Sequence, residues 1–226
     1  MLENYDIGRC IGVGGFAHVF QAYDRVRQSQ VAIKRVWKAS EDVVRRTRNE
    51  IEIHQNLCNP YIVKLVDWFE DQENFYVILE LGEISLYQYL QNVGKLEEDR
   101  ALHILWQLIC AVSYLHKREV IHRDLKLSNI LIFRDFDIKI CDFGLAVKVS
   151  HPDHDDLTLC GTPYYMAPEI TSNRGYGFPA DIWSIGIIFY SVLVGISSSK
   201  EIDFTLLPLF SSDIRDFLQG VLIEVI

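Results

Sequence analysis

Along the first third of the chain, apolar positions come in short runs broken by turn signals: "YDIGRCIG", "HVFQAYD", "QVAIKRVW", "IVKLVDWFED" and "NFYVILEL". Runs of this length, rich in β-branched and aromatic residues, predict five strands of an antiparallel sheet. Between the third and fourth, in "EDVVRRTRNEIEIHQNL", Val43, Ile51, Ile53, His54 and Leu57 share one helical face. From Glu83 the period changes. In "LEEDRALHILWQLICAVSYLH", Ala101, Leu105, Leu108, Ile109, Val112 and Leu115 recur at three- and four-residue intervals, predicting a helix with a broad apolar stripe. Two short strands follow, "NILIF" and "DIKICDF". The longest apolar run, "IWSIGIIFYSVLVGI", is shorter than the ~20 residues of a membrane span and predicts a buried core helix. A strand-rich small lobe, residues 1–81, thus precedes a helix-rich larger one, residues 82–226. The cleft between them is the expected ligand site.

Composition narrows the class. The 226 residues are 49% hydrophobic and 23% charged, enough to bury a core without disulfides or a structural metal. Cys10, Cys58, Cys110, Cys141 and Cys160 are odd in number and form no CxxC pair, which argues against a zinc site or disulfide framework and for a reducing compartment such as the cytoplasm. "MLENYDIGRC" has neither a basic n-region nor an apolar h-region, so no secretory signal is expected. A net charge of −9 argues against nucleic acid as a partner, leaving one local basic patch at Arg45, Arg46 and Arg48. No membrane association is expected either.

Three stretches carry candidate chemistry. "IGVGGFAHV" sets Gly12, Gly14 and Gly15 between two strands, which reads either as a tight hairpin or as a backbone cradle for phosphate oxygens. A strand rather than a helix follows it, and no GK[ST] does, so neither a Rossmann fingerprint nor a Walker loop is present. Lys34 ends the apolar strand "VAIK". It is either a surface lysine or, if Glu50 on the next helix faces back toward the sheet, a phosphate-binding ammonium held in place by that carboxylate. The third stretch, "IHRDLKLSN" with "ICDFG" after it, puts Asp124, Asn129 and Asp142 on two short neighbouring strands and their loops. Magnesium takes hard oxygen ligands, commonly one or two protein groups plus substrate phosphates, and Asn129 and Asp142 suit that need. Asp124 is placed to orient and deprotonate an attacking hydroxyl, Lys126 to neutralise a transferring phosphoryl group. His122 and Arg123 are expected to brace the loop, the imidazole from within the core and the guanidinium toward an anion. Phosphoryl transfer depends on such positioning and charge stabilisation.

The order GxGxxA, VAIK, Glu, HRDLKxxN, DFG and APE (Ala167, Pro168, Glu169), with "DIWSIG" beyond it, resembles the eukaryotic protein kinases from Tyr5 to about Gly195. "HRDLKLSN" and "GTPYY" resemble the serine/threonine kinases. "GGFA", "NEIEIHQNL" and "TLCGTPYYMAPE" are similar to the polo-like family, and within it to the Sak branch that controls centriole duplication. The resemblance implies an α+β fold of two lobes, a small antiparallel-sheet N-lobe with one regulatory helix and a larger helical C-lobe. It implies ATP and Mg2+ as cofactors, serine/threonine protein substrates, self-association for trans-autophosphorylation, and a centrosomal location. Carried over residue by residue, Gly12, Gly14, Gly15 and Val19 cover ATP. Val19, Ala32 and Leu131 sandwich adenine, Leu79 is the gatekeeper, and the Glu80 carbonyl and the Gly82 backbone read the adenine edge. Lys34, Glu50, Asp124, Lys126 and Asn129 form the catalytic set, and Asn129 and Asp142 hold metal. Thr162 contacts the catalytic loop, Asp181 anchors it, and His54, His122 and Phe143 form a hydrophobic spine. Thr158 is the implied activating phosphosite, opposite Arg123 and Arg45 or Arg46.

The C-terminal end departs from the pattern. "DFTLLPLFSSDIRDFLQGVL" resembles a segment leading into the last helices of the family, as though an internal piece were missing, so the C-lobe is expected to be incomplete. Two consequences are expected: Glu169 lacks its usual arginine, and Ile185, Ile188 and Phe189 lose part of their cover. Two functional readings stand, an active kinase and a non-catalytic fragment that binds nucleotide or partners.

Overall fold

Nine residues, Tyr5–Val13, open the N-terminal sheet as β1. The computed structural model describes residues 1–149, 159–172, 175, 177–196 and 202–222. β2 (Ala17–Asp24), β3 (Ser29–Trp37), β4 (Leu65–Glu70) and β5 (Asn74–Glu80) complete a five-stranded antiparallel sheet in the order β1-β2-β3-β5-β4. Register explains the cleft. Val19 lies opposite Lys34, and Ala32 opposite both Gln21 and Leu79. The two-residue pleat therefore sends Val19, Ala32 and Lys34 to one face, and Ile33 and Val31 to the other with Tyr5, Tyr76 and Ile78.

α1 (Glu41–Gln55) packs on the face of the sheet that carries Lys34. Ser40 caps it, its hydroxyl accepting from the Val43 N–H at 3.3 Å, and Glu41 and Asp42 suit the positive end of the helix dipole. Val43, Ile51 and Val36 pack with Phe75 and Val77, so Glu50 on the same face is buried too.

Past the hinge, β6 (Ile84–Ser85) leads into α2 (Leu86–Val93), an element the hydrophobic pattern did not predict. Its signal was local: Ser85 and Gln88 form a reciprocal capping box. α3 (Glu98–His116) buries Ala101, Leu105, Leu108, Val112 and Leu115, but Ile109 sits at the stripe's edge and is 43% exposed, beside the outward Leu102 and Trp106. β7 (Val120–Ile121), β8 (Ile130–Ile132), β9 (Ile138–Ile140) and β10 (Val147–Lys148) form two small sheets, β6-β8-β9 and β10-β7. α4 (Pro168–Thr171) and α5 (Phe178–Val194) follow. α5 is buried around most of its circumference, as the apolar run predicts. Among the described residues, no helix is long and apolar enough to cross a membrane.

α6 (Ser212–Leu222) corrects the expectation that Ile185, Ile188 and Phe189 lose part of their cover. Ile185, Ile188 and Phe189 are each at most 1% exposed. Ile214, Leu218 and Leu222, four residues apart, form the buried face of α6, and Phe217 meets Phe189 edge-on with ring centroids 5.6 Å apart. Gly186 makes the approach possible, because a Cβ there would lie 2.7 Å from both Val221 and Leu222 side chains. The last apolar stretch thus supplies the cover that α5 was expected to lose in part. Leu218→Ala is expected to lower unfolding free energy by roughly 2–5 kcal/mol and to raise binding of a hydrophobic dye, while the parent melts in one sharp transition. A parent that binds the dye as strongly as the variant would mean that α6 does not cover α5. Glu169 is half-buried and makes no ion pair among the described residues.

Candidate active site

Between the sheet and the helical lobe lies a cleft of about 1380 Å³. Gly12, Gly14, Gly15, Val19, Ala32, Lys34, Leu79, Glu80, Gly82 and Leu131 all line it, as do Glu50, Asn129 and Asp142. Residues 14–16 turn between β1 and β2, closed by the Gly14 N–H donating to the Ala17 carbonyl at 2.7 Å. A side chain at Gly15 would meet nothing within 4 Å, so that position does not need glycine for packing. Gly82 does. A Cβ there would come within 2.9 Å of the Leu131 Cβ, so the missing side chain lets the hinge pass over the cleft floor.

The sheet and α1 bring three charges together. Lys34 Nζ lies 2.6 Å from Glu50 Oε1 and 2.9 Å from Asp142 Oδ1. Burial alone would lower the Lys34 pKa, but the Asp142 and Glu50 carboxylates outweigh it and raise it, so the ammonium stays charged. Lys34 in turn holds the Asp142 carboxyl down at about 2 against its own desolvation. Burial pushes the Glu50 carboxyl up, and Lys34 offsets part of that. Lys34 is therefore no surface lysine.

The loop after β7 assembles the second group. Asp124 Oδ1 accepts from the Thr162 hydroxyl at 2.8 Å, and its Oδ2 from Lys126 Nζ at 2.7 Å and Asn129 Nδ2 at 3.2 Å. Lys126 also donates to Thr162 Oγ1 at 3.0 Å. Asn129 spends its amide nitrogen on the backbone and carboxylate of Asp124, which leaves Oδ1 without a donor among the described residues. The loop runs through a left-handed Arg123, φ 65°, where a bulky residue is strained. Buried Asp181 holds it, accepting from the His122 and Arg123 N–H groups at 3.0 and 3.1 Å and pairing with His116 Nε2 at 2.9 Å. Arg123 turns its Nε to the Leu145 carbonyl at 2.8 Å. Thr158, the implied phosphosite, lies outside the described residues.

Asn129 and Asp142 are a hard-oxygen pair at one end of the cleft, and Asp142 is held ionised with its side chain 47% exposed. Among the described residues no cluster of three or more His, Cys, Asp or Glu forms a complete metal cage. The donor set fits an Mg2+ that takes its remaining ligands from phosphate and water.

The spine is in place. Phe143 lies between His54 and His122 with ring centroids 4.6 and 5.0 Å away. His54 is 2% exposed, its Nε2 lies 2.6 Å from the Val63 carbonyl, and burial pushes its pKa down to about 4. The folded imidazole is neutral where an unfolded one takes a proton near pH 6.5. Its stabilisation is therefore present above pH 6.5 and lost as pH falls toward 4. Between pH 7 and 4 the parent is expected to lose up to about 3 kcal/mol more than His54→Leu in urea unfolding. Equal losses would show that His54 is not held neutral.

Two contacts escaped the sequence. Lys139 Nζ lies 2.6 Å from Glu80 Oε1, and the Lys64 N–H donates to Glu80 Oε2 at 3.3 Å, so the Glu80 side chain is engaged, and the Glu80 N–H is taken by the Lys64 carbonyl at 2.9 Å. The alternation of buried Ile138 and Ile140 did place Lys139 on the opposite face. Asn49 Nδ2 donates to the Ala146 carbonyl at 3.0 Å, and nothing in the sequence signals that contact.

The protein kinase domain model matches residues 5–206. The chain belongs to the protein kinase family. This kinase domain is 38% identical over 199 residues to the serine/threonine-protein kinase PLK4 of Drosophila ananassae, covering 86% of this chain and 26% of that protein. Against PLK4 of Drosophila grimshawi the identity is 40% over 200 residues, with the same coverages of 86% and 26%. Against PLK4 of Aedes aegypti it is 36% over 238 residues, covering 98% of the chain and 31% of the relative. The chain thus spans between a quarter and a third of the length of these curated relatives.

Proposed function

We propose that this kinase domain transfers the γ-phosphoryl group of ATP to serine or threonine hydroxyls of proteins, as a polo-like kinase of the Sak branch acting in centriole duplication. The convergence of Lys34, Glu50 and Asp142 at one end of the cleft carries the reading, with Asn129 and Asp124 adjoining them. Family membership implies ATP, typically with magnesium, and the similarity to PLK4 supports a serine/threonine substrate and a centrosomal site of action.

The roles are those that the resemblance to the kinases implies, and the arrangement of the cleft supports them. Val19, Ala32 and Leu131 enclose adenine beside the gatekeeper Leu79, and the Glu80 carbonyl and the Gly82 backbone read its edge. Gly12, Gly14 and Gly15 cover the phosphates. Lys34, fixed by Glu50, contacts them with a charge that burial cannot remove. Asn129 and Asp142 hold Mg2+, which when bound neutralises phosphate charge and orients the transferring group. Asp124, fixed by Thr162 and Asn129, orients the acceptor hydroxyl and receives its proton, and Lys126 beside it stabilises charge on the phosphoryl oxygens. Thr158, once phosphorylated, brings anionic oxygens to Arg123 and to Arg45 or Arg46, tying the segment before Thr162 to the catalytic loop. Self-association allows one copy to modify another.

Radiolabelled ATP with magnesium, casein and the chain itself tests the reading. Label on phosphoserine and phosphothreonine is the expected result. Nucleotide binding with no transfer to either acceptor would sink it in favour of a non-catalytic nucleotide-binding role.

A further inference from the structure

The turn that carries Asp142 is gripped from both lobes. Asp142 itself is left-handed, φ 63°, and its carboxylate meets Lys34. Phe143 lies between His54 of α1 and His122 of the catalytic loop. The next contacts follow the same alternation. Arg123, from the catalytic loop, donates to the Leu145 carbonyl at 2.8 Å, and Asn49, from α1, donates to the adjacent Ala146 carbonyl at 3.0 Å. Ala146 is 1% exposed, so water has little access to replace that donor.

Asn49 directly precedes Glu50. One turn of α1 therefore carries both the partner of Lys34 and the donor that fixes the chain four residues beyond Asp142. The Lys34–Glu50 contact reports where α1 lies relative to the sheet, and the Asn49–Ala146 contact reports where it lies relative to the Asp142 turn. We propose that Asn49 is a positioning residue that registers α1 against this turn, so that the Asp142 carboxylate is held for metal only while α1 is docked. Lys34 alone does not do this, because an ammonium on a flexible stem follows a moving carboxylate. A carbonyl hydrogen bond with a short amide side chain does not stretch in that way.

The inference rests on the kinase reading for its consequence, but its geometry can be tested separately. Asn49→Ala removes the donor and favours the helix, so α1 itself is not weakened. Hydrogen exchange is expected to quicken about tenfold at the amides of residues 142–148 while α1 is unchanged, as loss of one buried hydrogen bond predicts. In transfer assays the Mg2+ concentration for half-maximal rate is expected to rise by about tenfold, more than the KM for the protein substrate changes. Unchanged exchange over residues 142–148 overturns the proposal whatever the activity does. Quickened exchange along α1 as well also overturns it, since that marks a merely structural residue. If the parent transfers no phosphate, the functional reading fails, and the exchange result still decides whether Asn49 holds the turn.

Discussion

Asp142→Asn is expected to abolish phosphoryl transfer and to weaken metal-dependent nucleotide binding, whereas Asp124→Asn slows transfer by roughly 10²–10⁴-fold and leaves nucleotide binding intact. The two aspartates belong to one family signature, but their surroundings differ. The Asp142 carboxyl faces the cleft, 47% exposed, with Lys34 2.9 Å from Oδ1 and its pKa held at about 2. An amide of the same shape keeps the contour and loses the ionised oxygen that a hard cation needs, while leaving Lys34 with one carboxylate fewer. Asp124 is 10% exposed and lies outside the residues that line the cleft. Its oxygens are taken by Thr162, Lys126 and Asn129, and in the proposed role it meets the acceptor hydroxyl rather than the nucleotide. Replacing it therefore removes a proton acceptor without removing a nucleotide contact. Titration with an ATP analogue, with and without magnesium, beside initial rates on casein would check both. Equal loss of metal-dependent affinity in the two variants would mean that the roles are misassigned.

How much of this was readable in the chain depended on how local each signal was. The five strands followed from apolar runs and turn residues, whereas the cleft-lining Val19, Ala32 and Leu79 were singled out only by the resemblance to the kinases. The facing of Glu50 toward Lys34 required α1 to be helical over "NEIEIH", which its apolar positions indicated. α2 was missed because its eight residues are too few for a clear period, although Ser85 and Gln88 spelled its start. α6 was misjudged for a different reason. Counting the residues after Gly195 says nothing of where they fold, and the packing that seats Leu222 against Gly186 joins positions distant in sequence. The Lys139–Glu80 and Asn49–Ala146 contacts are of the same kind. A lysine on an exposed strand face and an asparagine on a helix are common, and only the tertiary fold brings a partner to each.

The buried pair between β3 and α1 gives the last expectation. Lys34→Met is expected to destroy activity and to cost roughly 3–5 kcal/mol of stability, because it strands Glu50 beneath the sheet. Lys34 and Glu50 side chains are 15% and 7% exposed, so neither charge can turn to water when its partner goes. Burial already pushes the Glu50 carboxyl up, and without Lys34 that push and the neighbouring Asp142 act together, opposed only by the smaller pull of His122. A carboxyl whose folded pKa is raised contributes most below its unfolded value and loses that contribution as pH rises through the folded one. The stability deficit of Lys34→Met against the parent should therefore shrink as pH falls from 7 to 5. The double variant Lys34→Met, Glu50→Leu replaces the pair with apolar groups of similar size and should recover most of the stability while staying inactive. Urea unfolding of the three proteins at both pH values, with rates on casein, separates the contributions. A double variant no more stable than Lys34→Met, or a deficit that grows on acidification, would show that the stranded carboxylate is not the cause.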